Sequence, residues 1–249
     1  MSIILANKAI SQTPGNLANL IKKEKNIQKI SYCGKLDPMS RGLMLFLTDS
    51  FCKKQDMFLK FDKIYQYQIL FGFDTDSYDI LGKINKMEIY NNVPKIALLN
   101  YINKLVGIHE QSFPPYSSIC VKNNENLRKP LWWWSKENRI SEIKIPSKEI
   151  EIYSTKFLGS EWLYFDQIIE VVRNRIKNLR GDFRQNEIME IWENKYRNNG
   201  KKRFLTLNIE MHVSSGTYIR SIIQEIAKEF NLCAIAFDIN RTKIGNYKL

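Results

Sequence analysis

Histidine and cysteine are scarce in this 249-residue chain: His109 and His212 are the only histidines, and Cys33, Cys52, Cys120 and Cys233 form no C-x-x-C pair. That spacing argues against a structural zinc site and against the disulfide framework of small secreted domains. No apolar run approaches the roughly 18 residues of a membrane span, and the N-terminus lacks the basic-then-apolar pattern of a secretory signal. The expected setting is a reducing, intracellular compartment, the cytoplasm first. Low-complexity linkers and internal repeats are missing as well, so one domain over residues 1–249 is the expectation. Acidic residues are the last shortage: 26 stand against 38 basic ones, leaving a net charge of +12. Clustered cations gain affinity by releasing counterions condensed on phosphates, which puts nucleic acid first among partners. A general richness in Ile, Asn and Lys explains part of that charge without any partner.

What the chain does contain is clear periodicity. Residues 63–71 alternate, with Tyr65, Tyr67, Ile69 and Phe71 on one face, and residues 204–213 alternate through Leu205, Leu207, Ile209, Met211 and Val213; both are expected strands. The second ends at Ser214-Ser215-Gly216, after which Ile219, Ile222, Ile223, Ile226 and Phe230 take helical spacing toward a C-cap at Asn231. Thr13-Pro14-Gly15 opens a short helix carrying Leu17, Leu20 and Ile21. Pro94 opens another, closed by Gly107, and Ala234 to Ile239 reads as a last strand.

Two regions read as additions to a core. Residues 122–145 hold Trp132, Trp133 and Trp134 among cations. Residues 160–202 form a charged helical insertion, a pair of helices over 166–198 broken near Gly181. The first helix carries an apolar stripe of Ile168, Val172, Ile176 and Leu179, ringed by Arg173, Arg175, Lys177 and Arg180. Its basic face is expected either to contact RNA or to be a solvated exterior.

Asp37 lies in the glycine-flanked run Gly34-Lys35-Leu36-Asp37-Pro38-Met39-Ser40-Arg41-Gly42. Alone, an Asp-Pro pair is an ordinary turn element. The run resembles the G-x-L-D-P-x-A-x-G signature of the TruB family of pseudouridine synthases, and further segments resemble that family in the same order. Lys63-Ile64-Tyr65 is similar to its K-x-Y motif. Gly72 through Asp79 with Gly82 is similar to G-x-x-T-D-T/S-x-D-x-x-G, and Gly107, Gln111, Pro114 and Pro115 with Ser117 and Ser118 are similar to G-x-x-x-Q-x-P-P-x-x-S, with one residue more between the glutamine and the first proline. Ser215-Gly216-Thr217-Tyr218-Ile219-Arg220 resembles S/K-G-T-Y-I-R, and Ile239-Asn240-Arg241 with Gly245 resembles L-R-R-x-x-x-G. Together these matches cover most of the chain.

The resemblance implies an α+β pseudouridine synthase fold with a central, mixed but mostly antiparallel sheet flanked by helices. It implies Asp37 as the nucleophile, Arg220 as its charge partner and Tyr65 as the ring that stacks on the extruded base. An ionised acid in a dry site needs a fixed cation beside it, and a guanidinium fork suits a carboxylate. Ile239 is the expected apolar wall, Tyr218 shapes the pocket, and Lys35, Lys63 and Arg241 are expected phosphate contacts. Tyr32 stands where the family normally has the histidine of G-H-x-G, an exchange that still permits stacking on a base. The segment 122–145 falls where the family has a mobile, RNA-gripping thumb. The chain stops four residues after Gly245, so the C-terminal RNA-binding PUA domain of many relatives is not expected.

The resulting expectation is a tRNA pseudouridine synthase that flips and isomerises the uridine at conventional position 55 in the T loop. It would act without cofactor, metal, guide RNA or membrane, as a monomer. The alternatives are a guide-dependent or other-RNA pseudouridine synthase, and a non-catalytic tRNA chaperone of the same fold. A DNA-binding module fits less well, since no helix-turn-helix or zinc pattern is visible.

Overall fold

The computed structural model describes residues 2–249. The chain opens with strand β1 (Ile3–Lys8) and helix α1 (Pro14–Glu24). The Thr13 hydroxyl accepts the Asn16 N–H at 3.1 Å, Pro14 sits in the first turn, and Lys22 and Lys23 meet the negative end of the helix dipole. Strands β2 (Ile30–Tyr32) and β3 (Arg41–Thr48) follow, then a short helix α2 (Gln55–Leu59) and strand β4 (Lys63–Phe71). As the alternation predicts, Tyr65, Tyr67, Ile69 and Phe71 are all buried on β4.

A small hairpin, β5 (Phe73–Thr75) and β6 (Ile84–Met87), leads to helix α3 (Lys95–Lys104) and strand β7 (Gly107–Ser112). Helix α3 begins just after Pro94, but Gly107, at φ 127°, starts the next strand instead of closing the helix. The 122–145 region contains the second strand of a hairpin, β8 (Cys120–Lys122) with β9 (Arg128–Pro130), and helix α4 (Leu131–Lys136). The long strand β10 (Ser147–Tyr164) takes in the first residues assigned to the insertion, and the helix pair proper is α5 (Phe165–Asn178) and α6 (Gln185–Tyr196). Strand β11 (Arg203–Val213), helix α7 (Ile219–Glu229), strand β12 (Ala234–Ile244) and a short β13 (Tyr247–Lys248) complete the chain. Asn231 takes the left-handed conformation after α7, at φ 50°, the geometry of a helix stop.

The nine-stranded central sheet has the path β1-β3-β12-β4-β11-β10-β7, with β2 on β3 and β13 on β12. Among the described residues only β3 and β12 pair in parallel within it, which matches the expected mixed, mostly antiparallel sheet. Helices α1, α3 and α7 bury Leu17, Ile21, Leu98, Ile102, Ile222 and Ile226 against one face. Helices α5 and α6 cover the other around Ile168, Val172, Trp192, Phe204 and Phe237. This second layer is why Phe204 and Thr206 are buried as well as Leu205 and Leu207.

Strand β12 runs five residues past the expected end at Ile239, because the residue that continues its buried face is Arg241, 1% exposed, followed after a register shift by Ile244. A buried arginine conceals a strand from any hydrophobic pattern. The expected basic face of the insertion also needs correction. Arg175 is buried, giving Nη1 to the Phe237 carbonyl at 2.6 Å and Nη2 to Asp238 at 3.2 Å. Arg173 pairs with Glu170 at 2.5 Å and Glu193 at 2.7 Å. Arg175 ties the hairpin to the sheet and Arg173 ties it to itself, while Lys177 and Arg180 at the same helix end stay exposed.

Candidate active site

The start of β4, the ends of β11 and β12 and the loop between β2 and β3 meet at one end of the sheet. Register explains the convergence: Tyr65 lies opposite Met211 on one side and Arg241 on the other, and Arg241 lies opposite Gly42 at the start of β3. All nine sequence-predicted site residues line one cleft of about 870 Å³: Tyr32, Lys35, Asp37, Lys63, Tyr65, Tyr218, Arg220, Ile239 and Arg241. A volume of that order suits a nucleotide-sized ligand.

Asp37 sits on the β2–β3 loop, its carbonyl accepting the Ser40 N–H at 3.0 Å, while the Pro38 carbonyl accepts the Ser11 N–H at 2.8 Å. Leu36 and Met39 on either side are buried, so the loop is anchored by apolar neighbours while Asp37 faces the cleft, its side chain 33% exposed. Arg220 comes from the first turn of α7, and its Nη2 lies 2.8 Å from the Asp37 carboxylate. The fork is aimed by two carbonyls: Nη1 donates to Ser77 at 2.6 Å and Nη2 to Tyr116 at 3.1 Å. Burial alone would lower the Arg220 pKa; Asp37 and then Asp79 outweigh it and hold it above the ordinary arginine value.

Asp79, 3.5 Å from Arg220 Nη1, is buried. Desolvation pushes its pKa up to about 6; Arg220 opposes that shift, Asp37 adds to it, and the Leu81 N–H and Ser77 hydroxyl oppose it. One fixed cation thus serves two acids at the cleft, one a third exposed and one buried. Tyr65, 8% exposed, and Ile239, 4% exposed, form apolar walls. Tyr218 is clamped by Gln111, which accepts its N–H at 2.8 Å and donates to its carbonyl at 3.2 Å. Tyr32, at the end of β2, meets Phe46 edge-on at 6.3 Å and leaves part of its ring on the cleft.

Among the expected phosphate contacts, Lys35 is exposed at the cleft. Lys63 and Arg241 do not fit that role. Lys63 is 4% exposed and donates to the carbonyls of Leu59, at 2.9 Å, and Phe61; burial first, and then Arg241, lower its pKa to about 8. Arg241 gives Nε to Leu43 at 2.8 Å and Nη2 to Gly34 at 3.2 Å. Both are structural cations that hold the Asp37 loop and its neighbours.

Three contributors were invisible or unassigned in the sequence. Lys8 is fully buried, its ammonium donating to the carbonyls of Ala9 at 3.0 Å and Gln12 at 2.7 Å. Burial lowers its pKa to about 8, with Asp37 opposing the shift. Nothing in its local sequence marks it. Asp79 and Gln111 lie within matched motifs that carried no role for them. In the 122–145 segment, Trp134 is fully buried and donates Nε1–H to the Lys129 carbonyl at 3.1 Å, whereas Trp132 is 45% exposed and lines the cleft. Anchor and free ring are therefore different members of one cluster.

The family model described as TruB family pseudouridylate synthase (N terminal domain) matches residues 22–174. A tRNA pseudouridine synthase B from Mycoplasma capricolum is 30% identical over 99% of this chain and 69% of its own. One from Mycoplasmoides gallisepticum is 25% identical over 99% and 92%. Among solved structures, a chain of a Cbf5-Nop10-Gar1 complex aligns with a TM-score of 0.60 at 17% identity, a likeness of fold. The alignment takes in 99% of this chain but about half, 49%, of that one. With motifs, cleft and whole-chain likeness in agreement, the chain belongs to the TruB family of pseudouridylate synthases.

Proposed function

We propose that this protein isomerises uridine to pseudouridine in tRNA, at conventional position 55 of the T arm, acting as a monomer in the cytoplasm without a guide RNA. The reaction breaks the bond from C1′ to N1, joins C1′ to C5, moves the C5 proton out and leaves a proton on N1, so nothing is consumed. The observation that carries the reading is the Asp37–Arg220 pair, 2.8 Å apart at the floor of a cleft of about 870 Å³.

A target inside a stacked loop reaches such a cleft only by rotating out, at a cost of a few kcal/mol. Tyr65 and Ile239 offer the base two apolar surfaces, and Tyr32 and Trp132 offer rings at the cleft for neighbouring bases. Asp37 then attacks C1′ and displaces the base, which leaves with the C1′–N1 electron pair. Once the base has turned, C5 attacks C1′ and expels the carboxylate, which is regenerated, while Arg220 holds its other oxygen and keeps the anion oriented. Tyr65 is the candidate to move the proton between C5 and solvent.

The test is an unmodified tRNA transcript incubated with the purified protein, with pseudouridine mapped at base resolution. Asp37→Asn is expected to abolish product while tRNA affinity stays within about twofold of wild type, since an amide keeps the shape and removes the nucleophile. Full turnover by that variant would remove Asp37 from its role. A bare T-arm hairpin is expected to be modified; a requirement for added guide RNA would overturn the substrate assignment.

A further inference from the structure

The two carbonyls that aim Arg220 belong to separate loops, one between β5 and β6 and one after β7, and a residue of the helical insertion braces both. Arg184, at the N-terminus of α6, reaches back to the cleft with a side chain only 9% exposed. Its two terminal nitrogens face the two carboxylate oxygens of Asp76, the neighbour of Ser77. Its guanidinium lies 4.4 Å over the ring of Tyr116. The Tyr116 hydroxyl donates to the same Asp76 carboxylate at 3.2 Å, and Asp76 also accepts the Lys83 N–H at 2.9 Å, closing its own turn. Arg184 takes a left-handed backbone, φ 61° and ψ 33°, a conformation uncommon for a residue with a Cβ. Surrounding contacts must hold such a residue in place.

We infer that Arg184 is a positioning residue for the isomerisation: by clamping Asp76 and Tyr116 together it fixes the carbonyls of Ser77 and Tyr116, and through them the fork of Arg220 on Asp37. Nothing in the sequence of the insertion marks this arginine, and the helix pair gains a task beyond packing on the sheet. A bidentate, stacked guanidinium cannot be replaced by an ammonium without losing both the second contact and the ring overlap.

The rate readout rests on the proposed function; the structural readout does not. Arg184→Gln and Arg184→Lys are compared with wild type in single-turnover reactions with a tRNA transcript, at saturating protein and well below their melting temperatures. Both variants are expected to bind tRNA within about twofold of wild type but to react about 10–100-fold more slowly, the range that a displaced catalytic group produces. Asp76→Asn is expected to show the same split, and the double variant should be no slower than the worse single one, because both remove one clamp. A lower melting temperature with an unchanged single-turnover rate would reduce Arg184 to a packing residue and overturn the inference. Weaker tRNA binding with an unchanged rate at saturation would make it an RNA contact and overturn it equally. If wild type itself forms no pseudouridine, the proposed function fails. The crystal structure of Arg184→Gln then decides: an Arg220 fork still on both carbonyls and Asp37 refutes the inference, and a displaced fork supports it.

Discussion

Arg220 is buried with a carboxylate on either side, and the two acids differ in what water can reach them. Asp37 opens onto the cleft, whereas Asp79 is buried beside the guanidinium with a pKa near 6 against 3.8 for an unperturbed carboxyl. A raised folded-state pKa means that the fold holds this proton more tightly than the unfolded chain does. Its stabilising contribution is therefore complete below about pH 4 and is lost as pH rises through about 6. Asp79→Asn removes that dependence. Urea unfolding between pH 4 and 7 should show wild type losing up to about 3 kcal/mol relative to the variant across this window, and parallel pH curves would refute the shift. At neutral pH the ionised Asp79 shares the charge of Arg220 with Asp37.

At the scale of elements, the parallel pairing of β3 with β12 depends on Gly42. Its φ is 112°, and a Cβ there would lie 2.6 Å from Asn240 Oδ1 and 2.7 Å from the Arg241 nitrogen. Gly42→Ala is expected to cost about 3 kcal/mol from backbone strain and overlap together, read as a lower melting temperature; an unchanged transition would show that the strands can part without penalty. In the 122–145 segment, the exposed Trp132 is the ring available to RNA. Trp132→Ala should weaken tRNA binding by about 1–3 kcal/mol, the worth of one stacked base, with the fold intact because Leu131 and Trp134 supply the buried contacts. Equal affinity would leave Trp132 without a role in binding.

The elements legible in the sequence are those with one clean period. Strand β4, the second half of β11 and helix α7 each bury one regular apolar face, so alternation or three-and-four spacing exposes them. Legibility fails where a charge is buried. Lys8, Lys63, Arg175 and Arg241 are all at most 8% exposed, yet a hydrophobic pattern treats each as surface. For Lys63 and Arg241 the motif resemblance implies phosphate contacts, whereas their donors are engaged by backbone carbonyls. Asp37, Tyr65 and Arg220 are legible as candidate site residues through ordered motifs alone, since no periodicity separates Tyr65 from Tyr67 on the same strand face.

For the whole molecule, a charge of +12 makes ionic strength the main control of binding. The logarithm of tRNA affinity should fall against the logarithm of salt concentration with a slope of about −3 or steeper, measured with the inactive Asp37→Asn protein; a slope near zero would place the cations away from the complex. The site itself is assembled from distant parts of the chain. Asp37 stands on a loop pinned by Arg241, more than 200 residues later, and is oriented by Arg220. A growing polypeptide therefore exposes Asp37 about 200 residues before the arginine that pins its loop has been added. The Asp37–Arg220 pair is likewise a late contact: no fragment that ends before residue 220 holds both the carboxylate and its guanidinium.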